Sequence, residues 1–264
     1  MVFDKIPDKR KYFLRQIHRQ QSDNPILELA IKLQDPAIDF LAFDQLVREA
    51  SVSDERVIYS QRVDVDLMAF SPVLVWRNST RIRLINAFRE AHSITETELV
   101  PGEPLICDGI ELPLKHRKKR IDLEARGLVK GAHVIYLGPG RKPGFSKLFI
   151  IGSDDPQVSA ASIVKIEKPD VEEPFIPFAA RMGATFLHGS AVTIHKSQGS
   201  QWEKVQVISS DLAVAERTGR VESGQPLWKR LTYVAITRAQ HQLNWVTRNR
   251  LSRPKFPLDT RKLM

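Results

Sequence analysis

Apolar residues along the chain fall into short unbroken runs that alternate with helical stripes. Residues 73–76 (VLVW), 191–194 (AVTI), 205–208 (VQVI) and 243–246 (LNWV) have the length and the β-branched or aromatic content of buried strands. Between them the spacing turns helical. Residues 24–33 form an amphipathic helix with Pro25 in its first turn, where the missing N–H costs little. Residues 40–50 read as a second helix and 56–59 as a short strand. A third helix over 79–91 carries the stripe Ile82, Ile85, Ala87 and Phe88, and a fourth is marked by Leu231, Val234 and Ala235. Asp64 and Asp66 alternate with Val63, Val65 and Leu67, a pattern that reads as an edge strand rather than a metal site. Strands alternating with helices predict an α/β domain with a parallel sheet.

The pattern changes between about residues 95 and 182, where proline and glycine punctuate short β-like runs at 104–107, 133–137, 147–151 and 162–166. Such punctuation predicts a small β-barrel or hairpin module inserted into the α/β domain. The chain then divides into residues 1–94 (first part of the α/β domain), 95–182 (β-rich insertion), 183–252 (second part) and 253–264 (basic tail). Residues 138–144 (GPGRKPG) have the composition of a phosphate loop, but the spacing G-x-x-x-x-G-K-[ST] occurs nowhere in the chain. Prolines also remove backbone donors that such a loop needs, so a hairpin turn is expected there. Asp211, after the 205–208 run, mimics a Mg²⁺-binding strand end, yet no acid pair follows it. No metal-ligand residues are assigned.

Charge adds a partner class. Lys+Arg number 40 against 31 Asp+Glu, a net +9 in 264 residues, which makes nucleic acid the leading anionic partner. Within the insertion, Lys115, His116, Arg117, Lys118, Lys119 and Arg120 form a basic run that reads either as a solvated loop or as a phosphate-tracking contact. The single cysteine, Cys107, excludes an intramolecular disulfide and fits a reducing compartment. No apolar run approaches the ~20 residues of a membrane span, and residues 1–13 lack the apolar core of a secretion signal. A cytoplasmic protein is expected, nucleoid-associated if bacterial.

Two stretches carry chemistry. Residues 191–202 (AVTIHKSQGSQW) run from a strand into a polar elbow in which Gly199 permits a turn, and residues 231–239 (LTYVAITRA) deliver Thr237 and Arg238 at the end of a helix. These blocks resemble motifs V and VI of superfamily 1 DNA helicases of the RecD-like and UvrD-like branches. Ile17-His18-Arg19-Gln20 with the helix that follows resembles motif IV, and residues 73–90 resemble the next strand and helix, with Arg77 and Asn78 at the turn. Relatives carry an accessory β-domain between the same motifs.

The resemblance implies a RecA-like domain of P-loop NTPase type, interrupted by a small β-barrel-like insertion. It implies the second of the two RecA-like domains between which such motors hydrolyse ATP. The phosphate loop, the Mg²⁺ carboxylates and the catalytic base belong to the first domain, so ATP and Mg²⁺ are cofactors only with a complementary phosphate-loop domain. That domain is expected in trans or in a missing N-terminal part, and no ATPase is expected of the chain alone.

The resemblance also places residues. Arg238 matches the arginine finger, and Arg19 matches the motif IV arginine at the same phosphate, although Arg19 by residue type alone reads as solvated. Gly199, Gln201 and Thr237 match nucleotide-facing positions; Gln201 stands where many relatives have glutamate, and an amide still hydrogen-bonds a ribose hydroxyl. Thr193, His195 and Ser197 match the surface for single-stranded DNA, extended by Lys115, Arg117, Lys118, Lys119 and Arg120. Without the motif, His195 reads as a structural histidine. Tyr233 and Trp202 read as core aromatics. An ATPase-inactive module that binds DNA or docks a partner stays open beside the motor reading.

Overall fold

The computed structural model describes residues 24–96, 98–111, 117–165, 183–258 and 260. Arg19 and Lys115 lie outside them, as do most of the expected basic tail's last residues. The elements run α1 (Pro25–Lys32), α2 (Phe40–Ser53), β1 (Val57–Ser60), α3 (Val65–Met68), β2 (Val73–Val75), α4 (Asn78–Ala91), β3 (Pro104–Glu111), α5 (Arg117–Ala125), β4 (His133–Pro139), β5 (Phe145–Ile150) and β6 (Gln157–Lys165). They continue as β7 (Gly183–His188), β8 (Ala191–Thr193), β9 (Trp202–Ile208), α6 (Ser209–Arg217), β10 (Val221–Glu222), β11 (Gln225–Pro226), α7 (Leu227–Ile236) and β12 (Ala239–Val246).

Five strands form a parallel sheet in the order β1-β12-β9-β2-β8. Helices cover both faces, which is why these strands read as nearly unbroken apolar runs. Leu74, Val205, Val207 and Trp245 pack with Phe43, Leu212 and Leu231 on one face, while Val73, Val75 and Ile208 pack with Met68, Leu84 and Phe88 on the other. The expected α/β class with a parallel sheet is what forms. One helix replaces an expected strand. Asp64 caps α3 by accepting from the Asp66 and Leu67 N–H groups, so the alternating acids serve a helix start, not a sheet edge.

Between β2 and β8 the chain leaves the sheet and closes a barrel, β3-β4-β5-β6-β7. All its pairings are antiparallel except β6 with β7. Leu105, Cys107, Leu148 and Phe186 fill it, with Leu123 of α5 added. β7 was expected to open the second part of the α/β domain at residue 183; it pairs with β3 and β6 and completes the barrel instead. Residues 139–145 turn β4 into β5, with the Gly140 N–H donating to the Phe145 carbonyl, as expected of a hairpin. Cys107 is a free, buried thiol, its pKa pushed up to about 11 by burial.

Two buried carboxylates fasten these parts. The Asp211 side chain, fully buried in α6, accepts from the Trp76 and Arg77 N–H groups (2.7 and 2.8 Å), Arg77 Nε (2.6 Å) and the Thr80 hydroxyl (2.9 Å). Arg77 occupies the cap position of α4 and makes no side-chain cap hydrogen bond; its own N–H and Nε are taken up by Asp211, in the first turn of α6. The acid that mimics a metal ligand is saturated by structural donors. Glu103, also fully buried, lies 3.1 Å from His188 Nε2 and 2.9 Å from Arg89 Nε, and accepts from the Val100 N–H. The Arg89 approach lies off the N–H axis, which makes it an ion pair rather than a hydrogen bond. Arg89 belongs to α4 and His188 to β7, so this cluster ties the barrel's root to the sheet's helix.

Candidate functional site

The elbow after β8 begins where the Ile194 N–H still pairs with the Val75 carbonyl (2.8 Å). The Thr193 carbonyl then accepts from the Lys196 and Ser197 N–H groups (2.9 and 3.1 Å), winding the chain into a helical turn. Ser197 is fully buried and its hydroxyl donates to the Ile194 carbonyl (2.7 Å). It holds the elbow's shape, and its own hydroxyl does not face solvent. His195, Lys196, Gln198 and Gly199 are exposed, and Thr193 is half-buried. Gly199 adopts φ +89° with open space where a Cβ would be, so the sequence's one glycine in the elbow sits where the backbone needs it.

α7 ends against this elbow. The Thr237 hydroxyl donates to the Tyr233 carbonyl (2.7 Å), and Arg238 Nη2 lies 3.2 Å from the same hydroxyl oxygen. Arg238 Nε donates to the Val234 carbonyl and Nη1 to the Ser200 carbonyl, both at 3.0 Å. The Trp202 N–H returns to the Arg238 carbonyl at 3.0 Å. Gly199, Gln201, Thr237 and Arg238 are thereby gathered at one end of β9 and β12, with Gln201 exposed and Arg238 half-buried. A cation at a helix C-terminus beside the last carbonyls is well placed, and its planar fork can serve several acceptors. Thr193 and His195 lie at the other end of the elbow. Trp202 is in the core as expected, whereas Tyr233 is 37% exposed.

The described part of the basic run is helical. Arg117, Lys118, Lys119 and Arg120 are exposed on the first turn of α5, with Arg120 paired to Glu124 (2.8 Å) and Lys119 Nζ 4.5 Å from the Phe145 ring centre. This surface belongs to the barrel, into whose core Leu123 of α5 packs. Sequence reading passed over Lys196, whose ammonium lies 3.1 Å from Asp108 of β3, and it could not see that partner, 88 positions away in sequence. Between the barrel and the elbow runs a cavity of about 620 Å³ lined by Val129, Lys130, His133, Gly199, Gln201 and Lys204, among others. His133 is buried there, and burial with the nearby His188 pushes its pKa down to about 3. Among the described residues no three His, Cys, Asp or Glu side chains stand together as a metal site, and no helix is long and apolar enough to cross a membrane.

Residues 188–246 match the family described as the UvrD-like helicase C-terminal domain. This is the segment containing the elbow and α7, and the resemblance to motifs V and VI is borne out there. Among solved structures, the Pif1 helicase from Candida albicans is similar at 14% identity over 89% of this chain and 56% of that one, with a TM-score of 0.47. A Bacteroides Pif1 helicase in complex with ADP-AlF3 and ssDNA is similar at 13% identity over 87% and 50%, with a TM-score of 0.43. Bacteroides Pif1 bound to ssDNA gives 12% over 88% and 50%, with a TM-score of 0.44. The chain spans about half the length of these structures. No curated protein matches it.

Proposed function

We propose that the chain is the second motor domain of an ATP-dependent DNA helicase, completing a nucleotide site whose phosphate loop and Mg²⁺ carboxylates come from a first RecA-like domain. The observation that carries this reading is the convergence of Arg238, Thr237, Gly199 and Gln201 through the Arg238–Ser200 hydrogen bond. They fit one wall of a triphosphate site: a permanent cation, an open glycine backbone and an exposed amide. They do not fit a metal centre, which the partner domain supplies.

In this reading ATP brings the γ-phosphate and Mg²⁺ with the first domain. Arg238 exchanges its carbonyl partners for phosphoryl oxygens as negative charge develops on them. Gln201 hydrogen-bonds a ribose hydroxyl, and Arg19 is the second cation of the same site. Thr193 and His195 meet the backbone of single-stranded DNA, while Ser197 keeps the elbow in shape between the DNA and nucleotide ends. The basic surface of α5, with Lys115, lengthens the phosphate track. A first part over residues 1–94, an insertion that runs through β7 to residue 188, a second part from β8 to residue 252, a basic tail over 253–264 and a cytoplasmic, DNA-associated location belong to the same proposal.

The test is reconstitution with a phosphate-loop domain, in trans or by fusion, followed by steady-state ATPase with and without single-stranded DNA. DNA-stimulated turnover is expected, and Arg238→Ala should lower it on the order of 10³-fold or more, the scale of arginine fingers. Arg238→Lys keeps charge but loses the planar fork and should also be costly. DNA affinity without nucleotide should barely move. Turnover within a few-fold of wild type in Arg238→Ala would leave Arg238 a helix-end cation serving stability. DNA binding with no turnover in any pairing would favour the ATPase-inactive module.

A further inference from the structure

The turn that leads into β4 approaches the elbow more closely than a side chain allows. Gly131 has φ +87°, and a Cβ built on it overlaps Ser200 Oγ and lies 2.7 Å from Ser200 Cβ. Hydrogen bonds lock this turn to the barrel: the Gly131 N–H donates to the Cys107 carbonyl (2.7 Å), the Cys107 N–H to the Ala132 carbonyl (2.9 Å) and the Ala132 N–H to the Val129 carbonyl (2.9 Å). Ser200 is buried, and its carbonyl is the one that receives Arg238 Nη1. Three groups therefore stand in series, with the barrel turn against Ser200 and Ser200 against Arg238. A second contact, Asp108 with Lys196, joins the barrel to the elbow on the far side of Gly199.

We infer that Gly131 is a positioning residue: the barrel turn sets the Ser200 carbonyl, and through it the direction of the Arg238 guanidinium, so barrel orientation regulates the finger. The catalytic consequence rests on the proposed motor function; the mechanical link does not. A residue with a Cβ at 131 pushes Ser200 away and moves the acceptor that aims Arg238, and a misplacement near 1 Å is enough to cost about 10²-fold in a geometry-dependent step.

Gly127 provides the matched control. It sits in the same barrel at φ +88°, but its nearest neighbour to a built Cβ is Ile150 Cγ2 at 3.7 Å. Gly131→Ala and Gly127→Ala carry the same backbone strain, and only the first meets Ser200. Gly131→Ala combined with Ser200→Gly removes the colliding atoms and should rescue. Two readouts apply: the Arg238 Nε–Hε resonance in the intact chain by ¹⁵N NMR, and kcat and KM of the reconstituted ATPase.

Gly131→Ala is expected to displace the Arg238 resonance and lower kcat about 10²-fold with little change in KM for ATP. Gly127→Ala should do neither, and the double variant should recover both. An Arg238 resonance unchanged in Gly131→Ala, or displaced equally in Gly127→Ala, overturns the inference whatever the turnover. If the resonance moves while Arg238→Ala leaves turnover intact, the motor reading fails and the mechanical link stands. Should Gly131→Ala not fold, Asp108→Asn loosens only an exposed ion pair and takes over the test. A smaller displacement of the same resonance is then expected, and none would overturn the link.

Discussion

The parallel sheet and the barrel handle the same need, a buried carboxylate that fastens neighbouring elements, in opposite ways. Asp211 finds all four of its donors on the β2–α4 connection and the first turn of α4, inside the sheet domain. Glu103 sits at the root of the barrel and reaches a cation on α4 and an imidazole on β7. The first acid makes the sheet a unit in itself. The second is a fastening between two bodies. The sheet thus carries the elbow and α7, and the barrel is hung against them by a charged root and two elbow contacts.

Asp211→Ala should break the comparison most severely, because it strands two backbone N–H groups and the Thr80 hydroxyl in the interior. A loss of about 3–5 kcal/mol is expected by denaturant unfolding, read by probes in the sheet. Glu103→Gln keeps the shape and removes the charge that Arg89 and His188 share. A loss of about 2 kcal/mol is expected, with barrel amides exchanging hydrogen ahead of sheet amides; a single coincident transition would count against two separable bodies.

Replacing Arg117, Lys118, Lys119 and Arg120 by glutamine should leave stability nearly unchanged. It should lower the slope of log K against log salt for single strands by about 0.7 for each DNA phosphate that these cations neutralise in the wild type. An unchanged slope would move the DNA track off the barrel.

The smallest effect at neutral pH is expected from His133→Leu. Neither ring nitrogen of His133 has a hydrogen-bond partner among the described residues, so an apolar replacement of similar size should be nearly neutral there. Its depressed pKa sets the sign of a pH effect. The folded chain keeps this imidazole neutral down to about pH 3, while the unfolded chain protonates it near its ordinary value of 6.5. The contribution of this group to stability is therefore fully present above about pH 6.5 and is lost as pH falls from there toward 3. His133→Leu should flatten that decline in a series of unfolding curves; an equally steep decline would assign it to other groups.

Strands buried on both faces were the most legible part of the chain, since 73–75 and 205–208 have nowhere to put a polar residue except Gln206, which bonds the Asp64 backbone. α5 was hidden because it buries only Leu123 and so lacks an apolar stripe, leaving a basic run that reads as a loop. Residues 183–188 were placed in the second part of the α/β domain, and only pairing with β3 and β6 reveals their membership in the barrel. The Asp64 cap was hidden by the alternation of Asp64 and Asp66 with Val63, Val65 and Leu67, which reads as a strand. The elbow and α7 were legible as the stretches that resemble motifs V and VI, but the Ser200–Arg238 and Asp108–Lys196 contacts join residues 38 and 88 positions apart and leave no local mark.

The barrel also begins and ends at one place. The Gly189 N–H pairs with the Pro104 carbonyl at 2.7 Å, and a Cβ at Gly189 would lie 2.8 Å from the Leu105 nitrogen. An insertion whose two ends touch resembles a stem and loop. Its length hardly matters to the body it interrupts, because the entropy of closing a loop grows only with the logarithm of its length. The barrel is thus free to grow, shrink or be exchanged while β2 and β8 stay side by side. Modularity in this chain resides in the backbone contact at Gly189, and any replacement module inherits the same two points of touch on the elbow.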